Sequence, residues 1–339
     1  MNILVTGGAG FIGSHLCEAL LEEGHKVIVI DDLSTSRHEN VRHLEGDGRF
    51  ELIIDTILNL TLMESLVKCA DLVYHLASAV GVRLIIDQPV RTIETIVEGT
   101  MAVLSQARRY RKKIILTSTS EVYGKGGKVP FSEQDDSILG TTTTRRWAYA
   151  AAKMIDEFLA LAHWYETRLP VVCVRLFNTV GPRQTGQYGM VIPRMVNQAL
   201  RGHNITVYGD GEQTRSFCHV KDVVDGLIRL SDCPAALGKV INIGNSQEVS
   251  MNYLAQRIKT LSRSSSPIVH IPYNEAYTEG FEDMRRRVPD LTLAKSLVEF
   301  CPHYSLDDIL SDVIMHLSVK CPQSESFLPG PASTVLSRW

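Results

Sequence analysis

The chain opens with Asn2-Ile3-Leu4-Val5-Thr6, runs into Gly7-Gly8-Ala9-Gly10-Phe11-Ile12-Gly13, and continues as a helical stretch, Ser14–Glu23. A short apolar strand, a turn of glycines and a helix in that order bring bare backbone amides to the positive end of the helix. A pyrophosphate is stabilised there. The run therefore places Gly7, Gly10, Phe11, Ile12 and Gly13 against a dinucleotide. The next strand, Lys26–Ile30, ends in Asp31, 18 residues beyond Gly13. That spacing suits a carboxylate that accepts from an adenosine ribose, and its charge would repel a 2′-phosphate. NAD is expected rather than NADP.

The alternation continues. A third strand, Phe50–Ile54, ends at Asp55, and a fourth, Asp71–His75, runs into Leu76-Ala77-Ser78. Small residues after a buried strand suit a backbone that passes close to a cofactor. Asp55, Leu76 and Ala77 are expected beside it, whereas His75 reads as a packed strand-end residue. Val90–Arg109 has helical spacing, and a fifth strand begins at Lys113-Ile114-Ile115-Leu116. Repeats of this kind give an α/β fold, a Rossmann-type doubly wound parallel sheet with both faces covered. Function then sits at the carboxyl ends of the strands. The fifth strand delivers Thr117-Ser118-Thr119-Ser120-Glu121-Val122-Tyr123-Gly124 to that edge. A following helix carries Tyr149 and Lys153, which face the same way because they lie four apart. A phenol beside an ammonium ionises more easily, so Tyr149 is expected to be pulled toward neutrality and to take a proton from a substrate hydroxyl.

Leu169–Phe177 reads as a sixth strand ending at Asn178. Beyond it come helical Met190–Leu200, short strands at Thr206–Gly209 and Ser216–His219, and helical Val220–Leu230. Lys239–Ile243, Met251–Leu261 and Ser305–Leu317 are expected to complete a smaller lobe. The organisation is thus a cofactor domain at 1–178, a substrate lobe at 179–317 that exchanges some strands and helices with it, and a tail at 318–339. The net charge of −3 and the lack of a basic stripe argue against nucleic acid. No apolar run nears the ~18 residues of a membrane span, and the chain starts on a strand rather than a signal peptide. Seven scattered cysteines without a C-x-x-C pair read as reduced thiols in the cytoplasm, and eleven histidines show no metal-ligand spacing.

Taken together, Thr6–Gly13, Asp31, Ser118-Thr119, and Tyr149 with Lys153 resemble the extended short-chain dehydrogenase/reductases that act on nucleotide sugars. The likeness runs from about Met1 to Leu317. Within that family the chain most resembles the UDP-glucuronic acid decarboxylases. The stretches that carry this are Ser118–Gly124, Arg175–Arg183, Val207–Phe217, Asn242-Ile243-Gly244-Asn245 and Arg287-Val288-Pro289-Asp290. Two segments differ from that group: Trp147–Lys153, which has alanines where those enzymes carry a Cys-Tyr-Asp-Glu-x-Lys-like run, and Leu139–Arg146, with four threonines in a row.

The resemblance implies NAD as cofactor, with Ser118, Tyr149 and Lys153 among its contacts, and a UDP-sugar substrate. It implies that Tyr149 deprotonates the C4 hydroxyl that Thr119 holds, and that Glu121 with Ser120 serves protonation at C5 after CO2 leaves. Asn178, Arg215 and Arg287 match contacts to the diphosphate side, Tyr208 falls near the uracil pocket, and Arg183 is the candidate for the sugar carboxylate. Subunits of the family commonly pair through helices matching Val90–Arg109 and Trp147–Glu166, so a homodimer is expected. A 4,6-dehydratase or a 4-epimerase remains the alternative. Epimerases tend to lack an acid at the Glu121 position, and dehydratases usually place Asp where this chain has Ser120. A non-catalytic NAD-binding module would need neither the Tyr149/Lys153 pair nor Thr119.

Overall fold

Ile3, Leu4 and Val5 are all buried, yet successive side chains of a strand point to opposite faces. The strand must therefore lie in a sheet covered on both sides. The computed structural model, which describes residues 1–79, 88–186, 190–272, 275 and 284–320, has that arrangement. The first half alternates β1 (Asn2–Thr6), α1 (Phe11–Glu22), β2 (Lys26–Asp31), β3 (Phe50–Ile54), α2 (Leu60–Cys69), β4 (Leu72–His75), α3 (Pro89–Tyr110), β5 (Lys113–Thr119), α4 (Trp147–Thr167) and β6 (Val171–Leu176). The second half holds β7 (Thr179–Val180), α5 (Val191–Leu200), β8 (Ile205–Tyr208), β9 (Thr214–Ser216), β10 (Cys218–His219) and α6 (Val220–Ser231). It continues with β11 (Val240–Ile243), β12 (Glu248–Ser250), α7 (Met251–Leu261), β13 (Ile268–Ile271), α8 (Thr292–Val298) and α9 (Leu306–Lys320).

The main sheet has seven strands in the order β11-β6-β5-β4-β1-β2-β3, all parallel. Ile3 and Val5 pack with Leu16 and Leu20 of α1 and with Val223 and Leu227 of α6. Leu4, one residue away in register, packs instead with Met63 of α2, Val103 of α3 and Ala160 of α4. One correction concerns β11. Lys239–Ile243 is expected in the smaller lobe, but Val240–Ile243 pairs with Cys173–Leu176 of the main sheet. Ile241 and Ile243 fill the same apolar layer as Val172 and Val174, so burial decides the pairing rather than sequence proximity.

The smaller lobe is built on α5, α7 and α9, whose Ile192, Val196, Leu254, Ile258, Ile309 and Val313 pack over Ile205 and Val207 of β8. Helix α9 continues through Ser318–Lys320, which the sequence assigns to the tail, and 321–339 lie outside the described residues. A seam joins this part of the chain to the sheet. Phe131 N donates to Val288 O and Asp290 N donates to Phe131 O, both at 2.8 Å, while Phe131 stacks on Tyr123 just after β5. That seam brings Arg287 to the end of β5. Among the described residues no helix is long and apolar enough to cross a membrane.

Candidate active site

A cavity of about 510 Å³ runs along the carboxyl edge of the sheet. Nearly every residue singled out from the sequence lines it. Gly7, Gly10, Phe11, Ile12, Gly13, Asp31, Asp55, Leu76 and Ala77 do so, as do Ser118, Thr119, Ser120, Glu121, Tyr149 and Lys153. Asn178, Tyr208, Arg215 and Arg287 complete the set. Arg183 does not line it. Its Nη2 pairs with Glu18 Oε1 at 2.5 Å on α1, and together with His15 it holds that carboxyl down to about 2 against the opposing effect of burial. The assignment of Arg183 to the sugar carboxylate is therefore corrected: its guanidinium is taken up by α1.

The glycine turn is shaped by close approach. Gly7 has φ 72°, and a Cβ there would come 2.7 Å from Ala77 N. A Cβ on Gly13 would come 2.3 Å from Gly7 O. Gly10 caps α1 without a side-chain hydrogen bond, so no cap side chain competes for the amides of the first turn. Asp31 accepts from Ala9 N and Leu33 N at 3.0 Å and from Ser36 Oγ at 2.5 Å, which fixes its carboxylate at the cavity wall. Burial raises its pKa, and those three bonds work against the rise. Asp55 braces the next turn through Thr56 N at 2.7 Å and Asn59 Nδ2 at 2.9 Å. A floor of bare backbone with a carboxylate at the end of β2 fits a dinucleotide whose ribose carries no phosphate.

At the end of β5 the chain turns through Ser120–Tyr123, with Thr119 Oγ1 accepting from Glu121 N at 3.3 Å. Thr119 also hydrogen-bonds the Tyr149 phenol. Glu121 sits between two guanidiniums. Arg287 Nη1 lies 2.7 Å from Oε1 and Arg146 Nη2 3.1 Å from Oε2. Burial would raise its pKa, but Arg287 and Arg146, with Arg215 farther along, bring it down to about 2. Glu121 is a fixed anion.

That anion alters the expectation for Tyr149. Its pKa lies above the ordinary phenol range, first because it is buried and second because Glu121 is negative; the Thr119 hydrogen bond acts the other way. Lys153, expected to favour ionisation, donates to Asp156 Oδ2 at 2.9 Å, with both side chains buried. Its charge is largely matched inside helix α4, so without ligands it does not bring the phenol toward neutrality. Ser118 is a second adjustment. It lines the cavity, but its hydroxyl donates to Glu157, which also grips Arg175 through Nη2 at 2.7 Å and Nε at 3.0 Å. Its side chain braces the sheet.

The remaining substrate-side residues are held as follows. Arg215 Nη1 donates to Thr214 O at 2.7 Å, Asn178 Nδ2 donates to Ser216 O at 2.8 Å, and the Arg194 guanidinium lies 4.1 Å from the Tyr208 ring centroid. Sequence reasoning missed Arg146 and Asp156. Asp156 was discoverable by helical spacing, three residues after Lys153, whereas Arg146 meets Glu121, 25 residues earlier, only in the fold. His75 is a packed strand-end residue, as its position suggests, but it also bridges elements. Its Nδ1 lies 2.7 Å from Thr6 Oγ1 and its Nε2 3.0 Å from Thr100 Oγ1. Burial, then the charge of Lys153, lowers its pKa to about 3, so the ring is neutral.

A dinucleotide cleft closing on a hydroxyl, a phenol and a buried ammonium, over a parallel sheet, is the mark of the extended short-chain dehydrogenase/reductases. Within that class the chain belongs to the GDP-mannose 4,6 dehydratase family, whose profile matches residues 4–313. A UDP-N-acetyl-alpha-D-glucosaminuronate decarboxylase of Bacillus cytotoxicus is 43% identical over 92% of this chain and 96% of its own length. UDP-glucuronic acid decarboxylase 1 of Xenopus tropicalis is 36% identical over 97% of this chain and 76% of its own. Among solved structures, UDP-glucuronic acid 4-epimerase from Bacillus cereus in complex with UDP-glucuronic acid and NAD superposes with a TM-score of 0.85. It is 30% identical and covers 95% of this chain and all of that one.

Proposed function

We propose that the protein is an NAD-dependent decarboxylase of a UDP-hexuronate, UDP-glucuronate first, acting through oxidation at C4 to give UDP-xylose or its 4-keto precursor. The observation that carries this reading is Glu121, an anion pinned by Arg146 and Arg287 in the same cavity as Thr119 and Tyr149. A carboxylate at C6 leaves poorly because the electrons released at C5 have nowhere to go. A ketone at C4 makes the sugar a β-keto acid, and the electron pair is then delocalised as an enolate. Bound NAD supplies the two-electron oxidation and can later reverse it.

The chain's own groups handle the rest. Thr119 orients the C4 hydroxyl, and Tyr149, once ionised beside Lys153 and the positive charge that bound NAD would add, accepts its proton. The buried Lys153 holds positive charge one helical turn away. After CO2 departs, Glu121 and Ser120 orient the ring or a water so that C5 is protonated. Gly7, Gly10, Phe11, Ile12 and Gly13 hold the pyrophosphate, and Asp31 the adenosine ribose. Arg215, Arg287 and Asn178 face the sugar diphosphate, with Tyr208 toward the uracil. Each proton-transfer group is worth about 10²–10⁴-fold in rate.

The 43% identity to the Bacillus cytotoxicus enzyme favours a second substrate, the N-acetylated UDP-hexuronate that its name gives. The chemistry is the same, since C2 does not react. Incubation with NAD and each of UDP-glucuronate, its 2-acetamido counterpart and UDP-glucose tests the reading. CO2 from either uronate is the expected result. Turnover of UDP-glucose, or C4 inversion of the uronate without CO2, would make the protein a dehydratase or an epimerase instead.

Dimerisation through α3 and α4 belongs to the same reading. Its support is the apolar surface those helices leave exposed, with Val90, Ile93 and Met101 on one and Ile155, Phe158 and Tyr165 on the other. Sedimentation at working concentration is expected to give twice the chain mass; a monomer would overturn it.

A further inference from the structure

A cation distinguishes a C6 carboxylate from a hydroxymethyl group by charge, and Arg183, paired with Glu18, does not line the cavity, whereas Arg146 does. Resting on the hexuronate reading above, we propose that Arg146 reads the C6 carboxylate and thereby separates a UDP-hexuronate from a neutral UDP-hexose. The first support is position. C6 lies two bonds from C4, so a C4 hydroxyl held by Thr119 and Tyr149 leaves the carboxylate close to them. Glu121, whose charge reaches the Tyr149 phenol, marks that place, and the Arg146 guanidinium lies against it at 3.1 and 3.4 Å from the two oxygens.

The second support is how Arg146 is mounted. It is the residue at the start of α4, three before Tyr149, and only 6% exposed although it lines the cavity. Its guanidinium lies 5.9 Å from the Trp147 ring centroid, and that indole is buried against Gly140, where a Cβ would come 2.0 Å from Nε1. The threonine-rich loop 139–146 is therefore a support for one cation at the catalytic end of the cleft. The third support is chemical. A guanidinium presents five N–H donors along more than one edge, so one arginine can bridge two carboxylates in a way an ammonium cannot. Arg287 grips Glu121 from the C-terminal segment, which leaves Arg146 as the guanidinium carried on the catalytic helix itself.

The test is titration calorimetry of the NAD-loaded protein with UDP, UDP-glucuronate and UDP-glucose, for wild type, R146Q and R146K. R146Q is expected to lose about 10- to 100-fold in affinity for UDP-glucuronate, the worth of one charge-assisted contact, with UDP and UDP-glucose changed by no more than about twofold. R146K should recover part of that loss. It also carries the test should R146Q fail to fold, since a loss confined to UDP-glucuronate is still expected of it. Equal losses for all three ligands would overturn the inference. So would an unchanged affinity for UDP-glucuronate with a fall in kcat alone, which would make Arg146 only a prop for Glu121. A wild-type protein that binds UDP-glucuronate no better than UDP-glucose would overturn the hexuronate reading and this inference with it.

Discussion

The two ends of the cleft are built in opposite ways. The cofactor end comes from one continuous stretch, residues 7–13, where a Cβ on Gly7, Gly8 or Gly13 would come within 2.7 Å of a neighbouring atom. The sugar end gathers Glu121, Arg146, Arg215 and Arg287 from separate segments and holds them by ion pairs and bonds to main-chain carbonyls. One end is specified by local geometry and the other by long-range electrostatics. A site of the first kind shows in the sequence as a motif. The second shows only when the fold brings its charges together.

The contrast can be attacked from either side. The largest effect is expected for Tyr149→Phe, where C4 oxidation should fall by about 10²–10⁴-fold while NAD affinity, which belongs to the other end, stays within about twofold. Stopped-flow absorbance of the reduced cofactor, with NAD titrated separately, checks both halves. Glu121→Gln comes next, with CO2 release slowed by about 10²-fold. Because Glu121 helps keep the Tyr149 phenol protonated, the remaining activity of that variant should rise at lower pH than in wild type. A pH profile that does not move would separate the carboxylate from the phenol.

Gly13→Ala probes the backbone end. With only 2.3 Å between its Cβ and Gly7 O, NAD affinity should drop by about 10- to 100-fold, with UDP affinity unchanged. The smallest effect expected is on stability. His75 is neutral in the fold, with its pKa lowered to about 3, whereas an unfolded histidine gains a proton below about 6.5. Its contribution is therefore present above pH ~6.5 and lost as pH falls from there toward 3. Urea midpoints for His75→Asn should decline less steeply than wild type over the upper part of that window.

Much of the architecture could be read from periodicity. Strands β1 to β6 and helices α1, α3 and α4 follow from apolar runs and turn residues, because a parallel sheet buried on both faces leaves little choice of residue; α2 is absent from that reading. Strand β11 could not be placed that way: nothing within Val240–Ile243 says that it pairs with β6 across a crossover. In the site, Tyr149, Lys153 and the glycines are visible because each pattern is local. The partners that set their charge divide: Asp156 matches Lys153 at a helical spacing that is local too, whereas Arg146 matches Glu121 only once the chain is folded. Arg183 is drawn away from the sugar for a like reason, since its attraction to Glu18 is a contact between residues far apart in the chain.

The central claim is that oxidation at C4 comes before loss of the carboxyl group. Protein stripped of bound nucleotide, then given UDP-glucuronate labelled at the carboxyl carbon, is expected to release no labelled CO2 until NAD is added, and to do so promptly afterwards. Release at the same rate without NAD would contradict the claim.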